Sequence, residues 1–162
     1  MPGLSEMGAA IGALLKERQE NIGIAESSCG GLISAALVAV PGASAFYLGG
    51  GVSYTQSSRQ GLMGIDESQM TGLRPSTEEY AFLNARAMQQ MLGATWAVGE
   101  TGASGPTGNR YGDASGHACI AVVGPVEKAI TVETGSTDRE ANMWVFATAA
   151  LELLESCIRE AA

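Results

Sequence analysis

The sequence predicts an α/β protein, a three-layer α/β/α sandwich on a mixed, mostly parallel sheet. Three observations predict it. Short apolar runs with strand character alternate with longer segments whose apolar residues recur at 3–4 spacing. Two Ser/Thr-x-x-Glu boxes, Ser76–Glu79 and Thr137–Glu140, open the later helical segments. The last two apolar runs are joined through Gly124-Pro125-Val126-Glu127-Lys128, which reads as a hairpin and makes the sheet mixed.

Taken in order, Ser5 is placed to cap a helix running to about Glu20, with Met7, Ala10, Ile11, Leu14 and Leu15 on one face. Ile22–Ala25 reads as a short buried strand. Gly30–Val40 reads as a helix apolar nearly all round, hence buried, stopped by Pro41-Gly42. Phe46–Tyr54 is a strand with glycines, where another backbone or a ligand comes close. Gln56–Met63 and Glu67–Met70 read as short helices. The Ser76 box opens a helix carrying Tyr80, Leu83, Ala87, Met88 and Met91 on one face and closing at Gly93. Trp96–Thr101 is a strand, Gly102–Gly116 a long Gly-rich loop, and His117–Gly124 and Ala129–Thr134 are the hairpin strands. A final long helix carries Met143, Phe146, Ala147, Ala150, Leu151, Leu154 and Ile158 as its stripe.

Residues 1–162 read as one domain, with 46% hydrophobic residues to fill its core. The net charge is −8, from seventeen acids against nine bases, and no Lys/Arg cluster marks a nucleic-acid face. Cys29, Cys119 and Cys157 are odd in number and lack CxxC spacing; with His117 as the sole histidine they form neither a zinc motif nor a disulfide framework, so no metal and no cofactor is expected. No basic n-region and no apolar run near ~20 residues is read, so a cytoplasmic protein without membrane partners is expected. The apolar Gly30–Val40 helix and Met-rich faces suit a homo-oligomer.

In open α/β sheets, ligands bind beyond the carboxyl ends of strands. Three such ends carry chemistry. Gly23–Gly31 (GIAESSCGG) is a strand, tight turn and helix start with a hydroxyl, Ser27, at the corner; alternatively Ser27 or Ser28 caps the helix. The second end delivers Tyr54, with Arg59 on the next helix. The third delivers Glu100 through Pro106, small residues suited to donating backbone N–H groups. Cys29 sits two positions past the corner and reads as packing. His117 lacks an evident acidic partner in sequence and reads as structural. Glu26 either polarises the nucleophile or bonds nearby backbone N–H groups.

AESSCGGLISAAL, then VPGASAF, VSYTQSSRQGLMGI and ETGASGPTGN, resemble the CinA C-terminal domain family, from about Leu14 to the end. The resemblance implies a three-layer α/β/α domain, usually oligomeric, that hydrolyses the carboxamide of nicotinamide mononucleotide to the acid and ammonia. The family's AESCTGG motif corresponds to Ala25–Gly31, which makes Ser27 the nucleophile. Its tyrosine corresponds to Tyr54, and its lysine to Arg59, a departure. Its GSSA segment corresponds to Gly42–Ala45 with Ser44, its TGIAGP to Thr101–Pro106, and its late Asp-Arg to Asp138-Arg139.

The implied mechanism has Ser27 attack the carboxamide, Tyr54 assisted by Arg59 carry the proton, and N–H groups of Ser28–Gly31, Gly30 included, stabilise the oxyanion. Thr101, Gly102, Ala103, Ser104 and Gly105, with Ser44 and Arg139, then hold the small-molecule nucleotide. Arginine, unlike lysine, does not give up its proton. A non-catalytic nucleotide-binding or assembly protein is therefore the alternative.

Overall fold

The computed structural model describes residues 3–161. Its elements are α1 (Leu4–Arg18), β1 (Ile22–Glu26), α2 (Leu32–Val38), β2 (Tyr47–Val52), α3 (Gln56–Gly61), α4 (Glu78–Leu92), β3 (Trp96–Ala103), β4 (His117–Val123), β5 (Lys128–Glu133) and α5 (Arg139–Glu160), with 3₁₀ turns at Ala43–Ala45 and Glu67–Met70. The five strands form one sheet in the order β2-β1-β3-β4-β5. β1 runs parallel to β2 and β3; β3 and β4, and β4 and β5, are antiparallel. The sheet is mixed as expected, but the two kinds of pairing are equal in number. The chain turns back through the 104–116 loop to form β4 against β3, which adds an antiparallel pair ahead of the expected hairpin.

Strand alternation sorts side chains between two helical layers. Ile22 and Ile24, Trp96 and Val98, and Ala118, Ile120 and Val122 face α1, α2 and α5, where Ile33, Leu37, Phe146, Leu154 and Ile158 complete the main core. The opposite face carries small residues, Ala25, Ala97, Cys119 and Ala121, against α4. Gly99 shows why: a Cβ there would lie 2.1 Å from the carbonyl oxygen of Ala81 on α4. The helix rests directly on the strand backbone. α5, at 22 residues, is long and apolar enough to cross a membrane by length and composition, counter to the expectation from sequence. Half of its most apolar stretch is buried inside the protein, as a core helix's would be.

Helix starts differ locally from expectation. Gly3, not Ser5, precedes α1, and the Glu6 carboxylate accepts its N–H at 3.1 Å. α2 begins only at Leu32 because Gly30 and Gly31 hold φ of +65° and +109°. Thr77 and Asp138 are the caps of α4 and α5, accepting the N–H of Tyr80 and Ala141.

Candidate active site

The Ser27 corner is built over two buried carboxylates. Glu26 continues the Ile22, Ile24 alternation on β1, and Glu100 continues Trp96, Val98 on neighbouring β3. Both therefore point beneath the start of α2, and neither is more than 2% exposed. Glu100 accepts the Ser27 N–H at 3.0 Å, the Cys29 N–H at 2.8 Å and the Ser28 hydroxyl. Glu26 accepts the N–H groups of Gly31 (3.1 Å), Ile33 (2.9 Å) and Ser34 (2.8 Å), so its carboxylate caps α2. Burial raises the Glu26 pKa above its ordinary value; hydrogen bonds from Ser34 and Ile33 oppose the shift, and the nearby Glu100 charge adds to it.

This arrangement engages three of the four expected oxyanion donors and leaves the Ser28 N–H outside those bonds. The Cys29 and Gly31 N–H groups already serve carboxylates, and the Gly30 N–H donates to the Ser27 carbonyl at 3.1 Å. Ser28 is buried with its hydroxyl on Glu100, so it faces away from any ligand. Cys29 is fully buried; burial above all, with Glu100 and Glu26 near, pushes its thiol well above the ordinary value.

Beyond the carboxyl ends of β1, β2 and β3 lies a cleft of about 510 Å³, a volume suited to a small molecule. Of the residues singled out from sequence, Ser27, Tyr54, Arg59, Thr101 and Gly102 line it. The others stand elsewhere. Ser44 is exposed in the 3₁₀ turn that leads into β2. α2 has carried the chain back across the sheet by then, and the next strand starts beside Ile22, at the opposite end from Ser27. Ala103 pairs with His117 inside the sheet. Ser104 is buried, its hydroxyl donating to the Ser28 carbonyl at 3.3 Å. The Gly105 carbonyl accepts from Arg139. Gly30 and Gly31 form the turn itself. Thr101 is 3% exposed, and its hydroxyl oxygen accepts the Ser76 N–H at 3.0 Å.

The expected partnership of Tyr54 with Arg59 is also replaced. Tyr54 is 60% exposed, and its hydroxyl accepts from Arg139 Nη2 at 2.9 Å. Arg139 thereby ties the phenol to the Gly105 carbonyl, and it is not among the residues that line the cleft. Arg59 is 9% exposed, lies 5.9 Å from the Tyr80 ring centroid, and donates to Glu67 at 3.3 Å. Burial lowers its pKa, yet Tyr80 and Glu67 outweigh that and the net shift is upward, so Arg59 holds its proton. Arg59 Nε and Ser53 Oγ are buried without a hydrogen-bond partner among the described residues, and both residues line the cleft. Ser53 follows β2 and donates its N–H to the Glu26 carbonyl at 2.8 Å, which sets it beside the Ser27 corner.

The remaining wall comes from the segment before α4 and from the 104–116 loop. Arg74 donates to both oxygens of Asp113, at 2.8 and 3.3 Å. Asn109 accepts the N–H groups of Tyr111 and Asp113 and donates to the Asp113 carboxylate. His117, which has no evident acidic partner in sequence, gains them in the fold: Nδ1 meets Glu133, Nε2 meets the Ser76 carbonyl at 2.8 Å, and Asp113 lies 3.7 Å away. Burial lowers the His117 pKa, but Glu133, the Ser76 carbonyl and Asp113 together raise it overall. His117 stays structural. Among the described residues no group of three His, Cys, Asp or Glu side chains converges as a metal would need. Sequence reasoning weighed the Asn109–Asp113 loop as either a substrate-preference element or an ordinary solvated loop, and missed Ser53, Arg74, Tyr80 and the part played by the Glu100 side chain. Only Glu100 left a signal, as a lone acid in register with the apolar face of its strand.

Fold and cleft together define an α/β/α domain with a serine corner at the carboxyl edge of a mixed sheet. The chain belongs to the CinA C-terminal domain family, whose profile matches residues 4–158. A CinA-like protein of Salinibacter ruber is 34% identical over 144 residues, 89% of this chain and 35% of its own length. A CinA-like protein of Desulforapulum autotrophicum is 31% identical over 150 residues, 91% of this chain and 35% of its own. The chain thus spans about a third of the length of these curated relatives. Among solved structures, a competence-damaged protein (CinA) superfamily protein of Enterobacter cloacae superposes with a TM-score of 0.88 at 22% identity, over 98% of this chain and 94% of that one. A competence/damage inducible protein of Agrobacterium tumefaciens gives 0.86 at 25%, over 97% of each.

Proposed function

We propose that this domain hydrolyses the carboxamide of nicotinamide mononucleotide or a related pyridine nucleotide, releasing ammonia, with Ser27 as nucleophile. The observation that carries the reading is Ser27 itself. It lines a strand-end cleft while its own N–H is anchored on Glu100, so its backbone is held in place at the cleft. Family membership supports the same reaction class.

In this mechanism Ser27 Oγ bonds to the carboxamide carbon. Its proton passes to the Tyr54 oxygen as the phenol's own proton passes to the leaving nitrogen. The C–N bond breaks, ammonia departs, and water then cleaves the acyl–serine ester to the carboxylate. Arg139 fixes the phenol's pose. Ser53 Oγ and Arg59 Nε, buried donors without a partner among the described residues, turn to the carbonyl oxygen as it gains charge.

A second reading has its own observation. Arg59, kept protonated beside Glu67 and Tyr80, is no base, and this favours a nucleotide-binding domain that does not hydrolyse its ligand. Ammonia release from nicotinamide mononucleotide by wild type, Ser27→Ala and Arg59→Lys separates the two. The amidase reading expects release by wild type and a loss of at least about a thousandfold in Ser27→Ala. No release by wild type, with release gained in Arg59→Lys, establishes the binding reading instead.

A further inference from the structure

This acidic chain places three of its nine basic residues, Arg59, Arg74 and Arg110, on one cleft, where the only lining carboxylate among the described residues is Glu67. The three are not equivalent. Arg59 is paired with Glu67 and Arg74 with Asp113, whereas Arg110 has no carboxylate partner among the described residues. Its Nη2 donates to the Tyr111 hydroxyl at 3.1 Å. The guanidinium carbons of Arg74 and Arg110 each lie 5.2 Å from the centroid of the Tyr111 ring, so two cations share one aromatic support.

That support is built in advance of any ligand. Asn109 closes the 109–113 turn on itself, Asp113 joins it to Arg74, and Asp113 also lies beside His117, the first residue of β4. Ser27 stands at the end of β1, with β3 between β1 and β4. Two strand spacings, about 10 Å across the sheet, together with the offset of His117 along the strands, therefore separate the serine corner from the element that anchors the arginines. A mononucleotide reaches that far from its base to its phosphate.

We propose that Arg110 and Arg74, carried with Tyr111, form an anion-binding pole that takes the phosphate monoester of a nucleotide whose carboxamide lies at Ser27. The inference rests on the proposed function for the identity of the nucleotide. It replaces the Ala103–Gly105 segment, Ser44 and Arg139, none of which lines the cleft. A guanidinium without a carboxylate partner is suited to a phosphate oxygen through charge-assisted hydrogen bonds.

The test is binding, measured by calorimetry on the full chain at fixed ionic strength, with nicotinamide mononucleotide and with nicotinamide riboside, which lacks the phosphate. Wild type is expected to prefer the nucleotide by about tenfold or more, and inorganic phosphate to compete with it. Arg110→Gln, a change at an exposed side chain, is expected to shrink that preference to within about threefold. Arg86→Gln, which removes a cation paired with Glu127 on α4, is expected to keep it. Equal affinity of wild type for both ligands, or an undiminished preference in Arg110→Gln, overturns the pole. Preference without ammonia release removes the amidase reading and leaves the pole standing. Ammonia release without preference does the reverse, and failure of both ligands to bind overturns both.

Discussion

At the Ser27 corner, two carboxylates no more than 2% exposed hold backbone N–H groups of residues 27–34. At the cleft rim, a phenol that is 60% exposed is held by a single arginine from α5. The corner uses charge-assisted bonds in a dry interior, where each is strong and any orphaned partner is costly. The rim uses a hydrogen bond open to solvent, where the contribution to folding is small. The difference separates two tasks. On the proposed mechanism the corner fixes where the nucleophile stands, and stability is expected to depend on it; the rim sets where the proton goes, and folding is expected hardly to sense it.

The comparison breaks most visibly at Glu100. Glu100→Ala leaves the Ser27 N–H, the Cys29 N–H and the Ser28 hydroxyl without their acceptor. A loss of roughly 3–5 kcal/mol in urea unfolding is expected, together with loss of ammonia release. A change below about 1 kcal/mol would show that the carboxylate does not hold the corner. Arg139→Gln sharpens the contrast from the other side. Stability should move by less than about 1 kcal/mol, while ammonia release falls by up to about a hundredfold as Tyr54 loses its tether. A large stability loss with unaltered turnover would reverse the roles assigned to corner and rim.

The smallest effect concerns the wall behind the rim. His117 in the folded protein has its pKa raised above the ordinary 6.5, so the folded state binds the proton more tightly than the unfolded chain does. Its contribution to stability is fully present below pH 6.5 and is lost as the pH rises through the raised value. Melting temperatures measured from about pH 6 to about pH 9 should fall more steeply in wild type than in His117→Gln. Parallel curves would mean that Glu133 and Asp113 do not stabilise the charged ring.

Much of the fold was legible because periodicity reports burial directly. The apolar stripe of α5, the short runs of β1 and β3, and the hairpin strands all lie where their spacing put them. Capping was less legible, since Ser5, Ser76 and Thr137 each offer a hydroxyl and only the backbone path decides among neighbours. The site divides along the same line. Ser27, Tyr54, Arg59, Thr101 and Gly102 reach the cleft because strand ends deliver them. Ser44 does not, since a motif close in sequence was carried by α2 to the far edge of the sheet. The pairing of Tyr54 with Arg139, 85 residues apart, left no local trace, and Arg59 instead found Glu67 and Tyr80.

Glu100 is 73 residues beyond the Ser27 amide it receives. The nucleophile's pose therefore has no existence in a nascent chain that ends before β3, however well β1 and α2 have formed by then. On the proposed mechanism reactivity arrives only with docking of the central strand, and a chain cut or locally opened there is expected to fall silent before it unravels. Turnover would then serve as a gauge of whether the middle of the sheet is closed.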